Sequence, residues 1–147
     1  MDVAYIHISC RPRPLIYHFA WGPMRAKPVL VDEIAEALDA LLREKAALLA
    51  VGIRDLRIQP ALVYLMVDAP PMLSPHSIAC GLKAHSSSAL RRTYKELTTI
   101  PTLWTREYLV AAGENVRAEE LVAAYLAMHA PQRRPRGRPP CRLSRRD

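Results

Sequence analysis

The sequence predicts an α+β domain: a ferredoxin-like or RNA-recognition-like antiparallel sheet with helices packed on it, and a C-terminal helix carrying Tyr125. Three observations predict it. Apolar stretches of strand length alternate with amphipathic stretches of helical period. The two central strand-like stretches are joined tightly around Pro60, which implies an antiparallel pair. The chain has 147 residues, half of them apolar, which suffices for one buried core and argues against disorder of the whole.

Taken in order, residues 5–10 are short and β-rich until Arg11-Pro12-Arg13-Pro14 breaks the pattern. Residues 15–21 form a second such run, closed by Gly22-Pro23. Over residues 32–49, Ile34, Leu38, Leu41, Leu42, Ala46 and Leu49 recur at helical spacing. Glu33, Glu36, Asp39, Arg43 and Glu44 face outward there, and Gly52 is expected to end the helix. Residues 53–59 alternate imperfectly, as a strand with one polar face, and residues 62–67 are continuously apolar, as in a sheet centre. Ser74-Pro75 opens a helix with a serine cap and a proline in the first turn, running to about Leu97. Residues 108–112 form a short strand ended by Gly113, and residues 116–130 form the last helix, with Leu121, Val122, Tyr125 and Met128 along one side. The expected order is strand, helix, strand, strand, helix, strand, helix, with helices on one face of the sheet.

Charge divides the chain into a domain over residues 1–130 and a tail over residues 131–147. Seven of the 21 basic residues but only one of the 14 acidic residues lie from Pro131 onward, so the body is close to neutral and most of the +7 net charge sits in the tail. That Arg/Pro-rich tail is expected to be disordered, and serves either as a phosphate-contacting arm or as a solubilising extension. No apolar run reaches the ~20 residues that a membrane span needs, and the start of the chain lacks the basic region of a signal peptide. Cys10, Cys80 and Cys141 stand in no ligand spacing and suit free thiols in a reducing cytoplasm.

Several segments share a resemblance. Gln59-Pro60-Ala61-Leu62-Val63-Tyr64-Leu65-Met66-Val67-Asp68-Ala69-Pro70-Pro71 resembles the signature strand of the single-tyrosine HUH transposases, the small TnpA-type and REP-associated enzymes of insertion sequences. Tyr17-His18-Phe19-Ala20-Trp21 is similar to that family's first strand, and Lys27-Pro28-Val29-Leu30 to its step into the first helix. Ser74-Pro75, Leu82-Lys83-Ala84-His85-Ser86-Ser87, Leu90-Arg91-Arg92, Pro101-Thr102-Leu103-Trp104 and Tyr108-Leu109-Val110-Ala111-Ala112-Gly113 follow in the family's order. Val122-Ala123-Ala124-Tyr125 falls where the family places its nucleophilic tyrosine.

The resemblance implies a chemistry. Two histidines at i and i+2 of the signature strand share a face and, with a side chain from the last helix, hold Mg²⁺ or Mn²⁺. The ion polarises a phosphate of single-stranded or hairpin DNA, and the tyrosine attacks to form a 5′-phosphotyrosine link. Here the two histidine positions are Leu62 and Tyr64, and the third ligand position, one helical turn after Tyr125, is His129. Leu62 has no donor and a neutral phenol is a poor ligand, so cation binding is expected to be absent or weak and catalysis impaired. The resemblance also implies a homodimer, with Gly113 and Glu114-Asn115 as the hinge of the last helix.

Each candidate has an ordinary alternative. Leu62 and Tyr64 read as a packed core strand. Tyr125 is either the retained nucleophile position or a core tyrosine, and His129 is either a residual ligand or a helix-end histidine. Lys83, His85, Ser86, Ser87, Arg91 and Arg92, with Lys95, form either a DNA-binding patch or a solvated helix face. Aromatic residues number nine, which disfavours a broad base-stacking platform. The function expected is therefore a transposase-like protein that binds hairpin or single-stranded DNA, the alternative being a non-catalytic DNA-binding or dimerisation remnant.

Overall fold

The computed structural model describes residues 14–128. The strand expected at residues 5–10, His129, Cys10, Cys141 and the tail from Pro131 lie outside the described residues. Seven regular elements follow one another: β1 (Leu15–Trp21), α1 (Asp32–Leu48), β2 (Gly52–Gln59), β3 (Leu62–Ala69), α2 (Pro75–Thr93), β4 (Leu109–Ala112) and α3 (Ala118–Met128). The four strands form one antiparallel sheet in the order β2-β3-β1-β4, the ferredoxin-like arrangement in which β1 and β3 are central.

Strand parity then sorts the two faces. Tyr17, Phe19 and Trp21 of β1, with Val63, Leu65 and Val67 of β3, point to one face and meet Ile34, Leu38 and Leu42 of α1 and Ile78, Leu82 and Leu90 of α2. This main core is sealed near its end by Trp21 and Trp104, whose rings cross edge to face at 6.0 Å. Ala20, Leu62 and Tyr64 point the other way and pack under Ala118, Leu121 and Tyr125 of α3. The helices therefore do not share one face, as the element order suggested. Amphipathicity tells which side of α3 is apolar but not which side of the sheet receives it.

Local signals account for most element ends. Ser74 caps α2 by accepting from the Ser77 backbone N–H, with Pro75 in the first turn. The helix stops at Thr93, short of the expected Leu97, and Lys95–Thr99 tightens into a 3₁₀ turn. Gly52 does not end α1. Ala50 does so in the left-handed conformation (φ 59°), with Val51 N–H donating to Ala46 C=O and Ala50 N–H to Ala47 C=O, a Schellman closure built without glycine.

Candidate functional site

The face of the sheet beneath α3 brings together the residues that the resemblance singled out. Leu62 and Tyr64, two apart on β3, point to the same side, and both are buried against Tyr125. Ala20 stands opposite Tyr64 on β1, and its small side chain leaves room for the larger rings around it. The Tyr64 hydroxyl lies 2.7 Å from Nδ1 of His18, a fully buried residue on the same face of β1. Nε2 of His18 donates to the Gly113 carbonyl at 2.8 Å, just before α3. The Arg57 guanidinium sits 5.6 Å from the centre of the Tyr64 ring and is itself held by Asp55 and Glu119. Burial raises the Tyr64 phenol pKa, Asp55 adds to the rise, and Arg57 opposes it.

Tyr125 is seated by residues that the sequence did not single out. A Cβ on Gly22 would fall 2.7 Å from the Ala61 carbonyl and 2.8 Å from the Tyr125 hydroxyl, so only glycine lets the phenol approach there. The Thr105 hydroxyl donates to the Glu107 carbonyl at 3.1 Å, and its backbone N–H donates to the Gly22 carbonyl at 3.1 Å. Burial raises the Tyr125 pKa; the Thr105 side chain lowers it and Glu107 raises it. At rest the hydroxyl is therefore neutral and covered. A glycine directly after a buried strand, at Trp21-Gly22-Pro23, was the available signal for this seat. His18 pairs with Met66, two residues past Tyr64 and on the same face, and no local pattern marks that meeting.

The α2 residues are largely committed to the fold. Lys83 is half-buried, donates to the Thr105 carbonyl at 2.6 Å and lies 5.7 Å from the Tyr108 ring centre, and burial lowers its pKa. Ser86 is fully buried, donates to the Leu82 carbonyl and accepts from the Trp104 indole at 3.1 Å. Arg91 donates to the carbonyls of Ile100 and Pro101 and fastens the loop after α2. His85 faces Glu44 of α1 at 3.7 Å, and Ser87 is partly buried. Arg92 and Lys95 are exposed. Lys83, Ser86 and Arg91 are thus engaged in packing and hydrogen bonds within the domain, whereas Arg92 is exposed. His129 lies outside the described residues.

Comparison with known proteins bears on the family and the fold. Residues 13–129 match the family model described as "Transposase IS200 like". The ISDra2 transposase TnpA of Deinococcus radiodurans is 29% identical over 109 residues, covering 71% of this chain and 78% of its own. The fold is similar to a crystal structure of a Deinococcus radiodurans R1 protein provisionally termed a transposase, with a TM-score of 0.73 at 23% identity over 88% of this chain and 98% of that one. It is also similar to a REP-associated tyrosine transposase bound to a REP hairpin, with a TM-score of 0.56 at 11% identity over 86% of this chain and 72% of that one. The chain belongs to the IS200-like transposase family.

Proposed function

We propose that this family member binds single-stranded or hairpin DNA as a cytoplasmic homodimer and that its strand cleavage and joining are severely impaired. The observation that carries this reading is the burial of Leu62, Tyr64 and Tyr125 in one cluster, with the Tyr64 hydroxyl bonded to His18. The residues on this face do not fit a divalent cation. Leu62 offers no donor, and Tyr64 is a neutral phenol whose oxygen is already engaged. Among the described residues no group of three or more His, Cys, Asp and Glu side chains is placed to hold a metal ion. On the chemistry of Leu62 and Tyr64, Mg²⁺ or Mn²⁺ is expected to bind weakly or not at all. Losing several kcal/mol of electrostatic stabilisation of a phosphoryl transition state, at ~1.4 kcal/mol per factor of ten, slows the reaction by orders of magnitude.

The alternative, a non-catalytic DNA-binding or dimerisation remnant with a role in its host, is favoured by the covered Tyr125 hydroxyl. DNA as ligand is supported by family membership and by the hairpin that the structurally similar REP-associated transposase carries. Among the described residues no helix is long and apolar enough to cross a membrane.

The test is incubation with labelled hairpin DNA and Mg²⁺ or Mn²⁺, with native and denaturing gels run in parallel. Salt-sensitive binding without a covalent product is expected. A covalent band lost in Tyr125→Phe would show an active enzyme. A band that arises only after Leu62→His with Tyr64→His would support the degenerate site. Absence of any binding would remove DNA as the ligand.

A further inference from the structure

We infer that the DNA backbone is held by a basic rim next to Tyr125, formed by Arg25 and Lys27 of the β1–α1 connection and Arg106 of the segment before β4. The inference rests on the DNA-binding reading above and places its phosphate contacts away from α2.

Three backbone segments converge where the Tyr125 hydroxyl lies. Gly22 and the Ala61 carbonyl enclose it, and the Thr105 side chain lies close enough to lower its pKa. Two of these segments are stitched together in an antiparallel pair: Thr105 N–H donates to Gly22 C=O, Pro23 pairs with Trp104, and Met24 N–H donates to Leu103 C=O at 2.8 Å. The connection then turns back to the sheet, where Leu30 N–H donates to the Pro60 carbonyl. Arg106 emerges next to Thr105, and Arg25 and Lys27 emerge just after the stitched pair. All three are exposed, and none has an ion-pair partner among the described residues. Most cations of α2 and β2 differ: Lys83 and Arg91 are spent on carbonyls and Arg54 and Arg57 on carboxylates, and Arg92 bonds only the Ser88 carbonyl of its own helix.

The connection is also held in an uncommon conformation. Arg25 (φ 59°, ψ 26°) and Ala26 (φ 53°) are successive non-glycine residues in the left-handed region. Such a pair persists where its surroundings fix it, and strain of this kind gathers at ligand-contacting positions. A phosphodiester backbone is the chemistry that this arrangement suits, since separated point charges neutralise successive phosphates without reading bases. Glu107 follows Arg106, and its charge raises the Tyr125 pKa, so it opposes an approaching phosphate near the rim.

The experiment measures binding of a labelled DNA hairpin with a single-stranded flank to the full chain across a salt series. The variants are Arg25→Asn with Lys27→Gln and Arg106→Gln, asparagine being chosen because it tolerates the left-handed region. The control is Arg92→Gln with Lys95→Gln on the exposed side of the α2 end. Each phosphate contact contributes about 0.7 to 0.9 to the slope of log affinity against log salt, so the rim variant is expected to lose roughly 2 to 3 of that slope. The control is expected to keep the wild-type slope, and melting temperature and circular dichroism are expected to match in all three proteins. A rim variant with an unchanged slope, or a control that loses as much, overturns the rim while leaving DNA binding intact. A wild-type chain that binds no hairpin overturns the DNA reading itself.

Discussion

Tyr64 and His18 form a buried pair, hydroxyl oxygen to Nδ1 at 2.7 Å, on the face where the family resemblance places a metal. Because the Gly113 carbonyl can only accept, Nε2 of His18 carries a proton, and in the neutral imidazole Nδ1 then accepts from the Tyr64 O–H. Each polar atom is satisfied, and the pair ties β1 and β3 to the turn that starts α3. Tyr64→Phe leaves a buried nitrogen without a partner and is expected to cost about 1–3 kcal/mol in chemical denaturation. In a His18→Leu background the same change is expected to cost much less, because the partner is already gone. Equal costs in both backgrounds would mean that the bond does not couple the two residues.

Gly22 carries the second prediction. A methyl group there meets the Ala61 carbonyl, which is backbone, and the Tyr125 hydroxyl, which is the end of a side chain on α3. Only the second can yield, so Gly22→Ala is expected to push Tyr125 off its seat, at about 1–3 kcal/mol. Tyr125→Phe removes the clashing oxygen, and the penalty of Gly22→Ala is expected to shrink in that background. Acetylation of surface tyrosines, read by mass spectrometry, is expected to spare Tyr125 in the wild type and to reach it in Gly22→Ala. Equal labelling of the two proteins would show that the hydroxyl is not held there.

Much of this fold could be read from the sequence because its signals are local. The serine cap and proline of α2, the short turn at Pro60 and the apolar stripe of α1 each depend on residues within a few positions. Pattern alone did not place α3, since the sheet offers an apolar stripe on either side; only the family resemblance set Tyr125 beside Leu62 and Tyr64. On α2 the donor-rich composition conceals a spacing signal. Ile78, Leu82, Ser86 and Leu90 recur every four residues, so Ser86 lies on the buried stripe and its hydroxyl serves Trp104. Leu62, Tyr64 and Tyr125 were legible as a group only through family resemblance. Their partners His18, Gly22 and Thr105 come from other segments, and no pattern within one segment reveals such a meeting.

Ser86 separates fold from ligand contact. Ser86→Ala deprives the buried Trp104 indole of one acceptor, although the Lys83 carbonyl at 3.1 Å remains. The expected loss is about 1 kcal/mol of stability, with hairpin affinity of the folded protein unchanged. Lys83→Met is expected to behave alike, since it removes a bond to Thr105 and keeps the apolar stem over Tyr108. A fall in affinity at constant melting temperature for either variant would restore α2 as a phosphate-binding surface.

Alkaline pH probes the covered tyrosines directly. Burial raises the pKa of Tyr125 and of Tyr64 above the ordinary 10.0, so both stay protonated in the native state at a pH where the unfolded chain has begun to lose its phenolic protons. Above about pH 10 the native state therefore binds more protons than the unfolded state, and stability that is complete below that pH falls as pH rises toward the native values. Lys83 works in the opposite sense. Burial lowers its pKa below 10.5, so the unfolded state binds the extra proton between the native value and 10.5, and stability rises with pH through that window. The denaturation midpoint is thus expected to hold or rise toward pH 10 and to fall beyond it. Tyr125→Phe should flatten the fall, and phenolate absorbance should show its slowest-titrating component lost in that variant. A fall of unchanged steepness in Tyr125→Phe with Tyr64→Phe would assign the alkaline instability to groups other than the two phenols beneath α3.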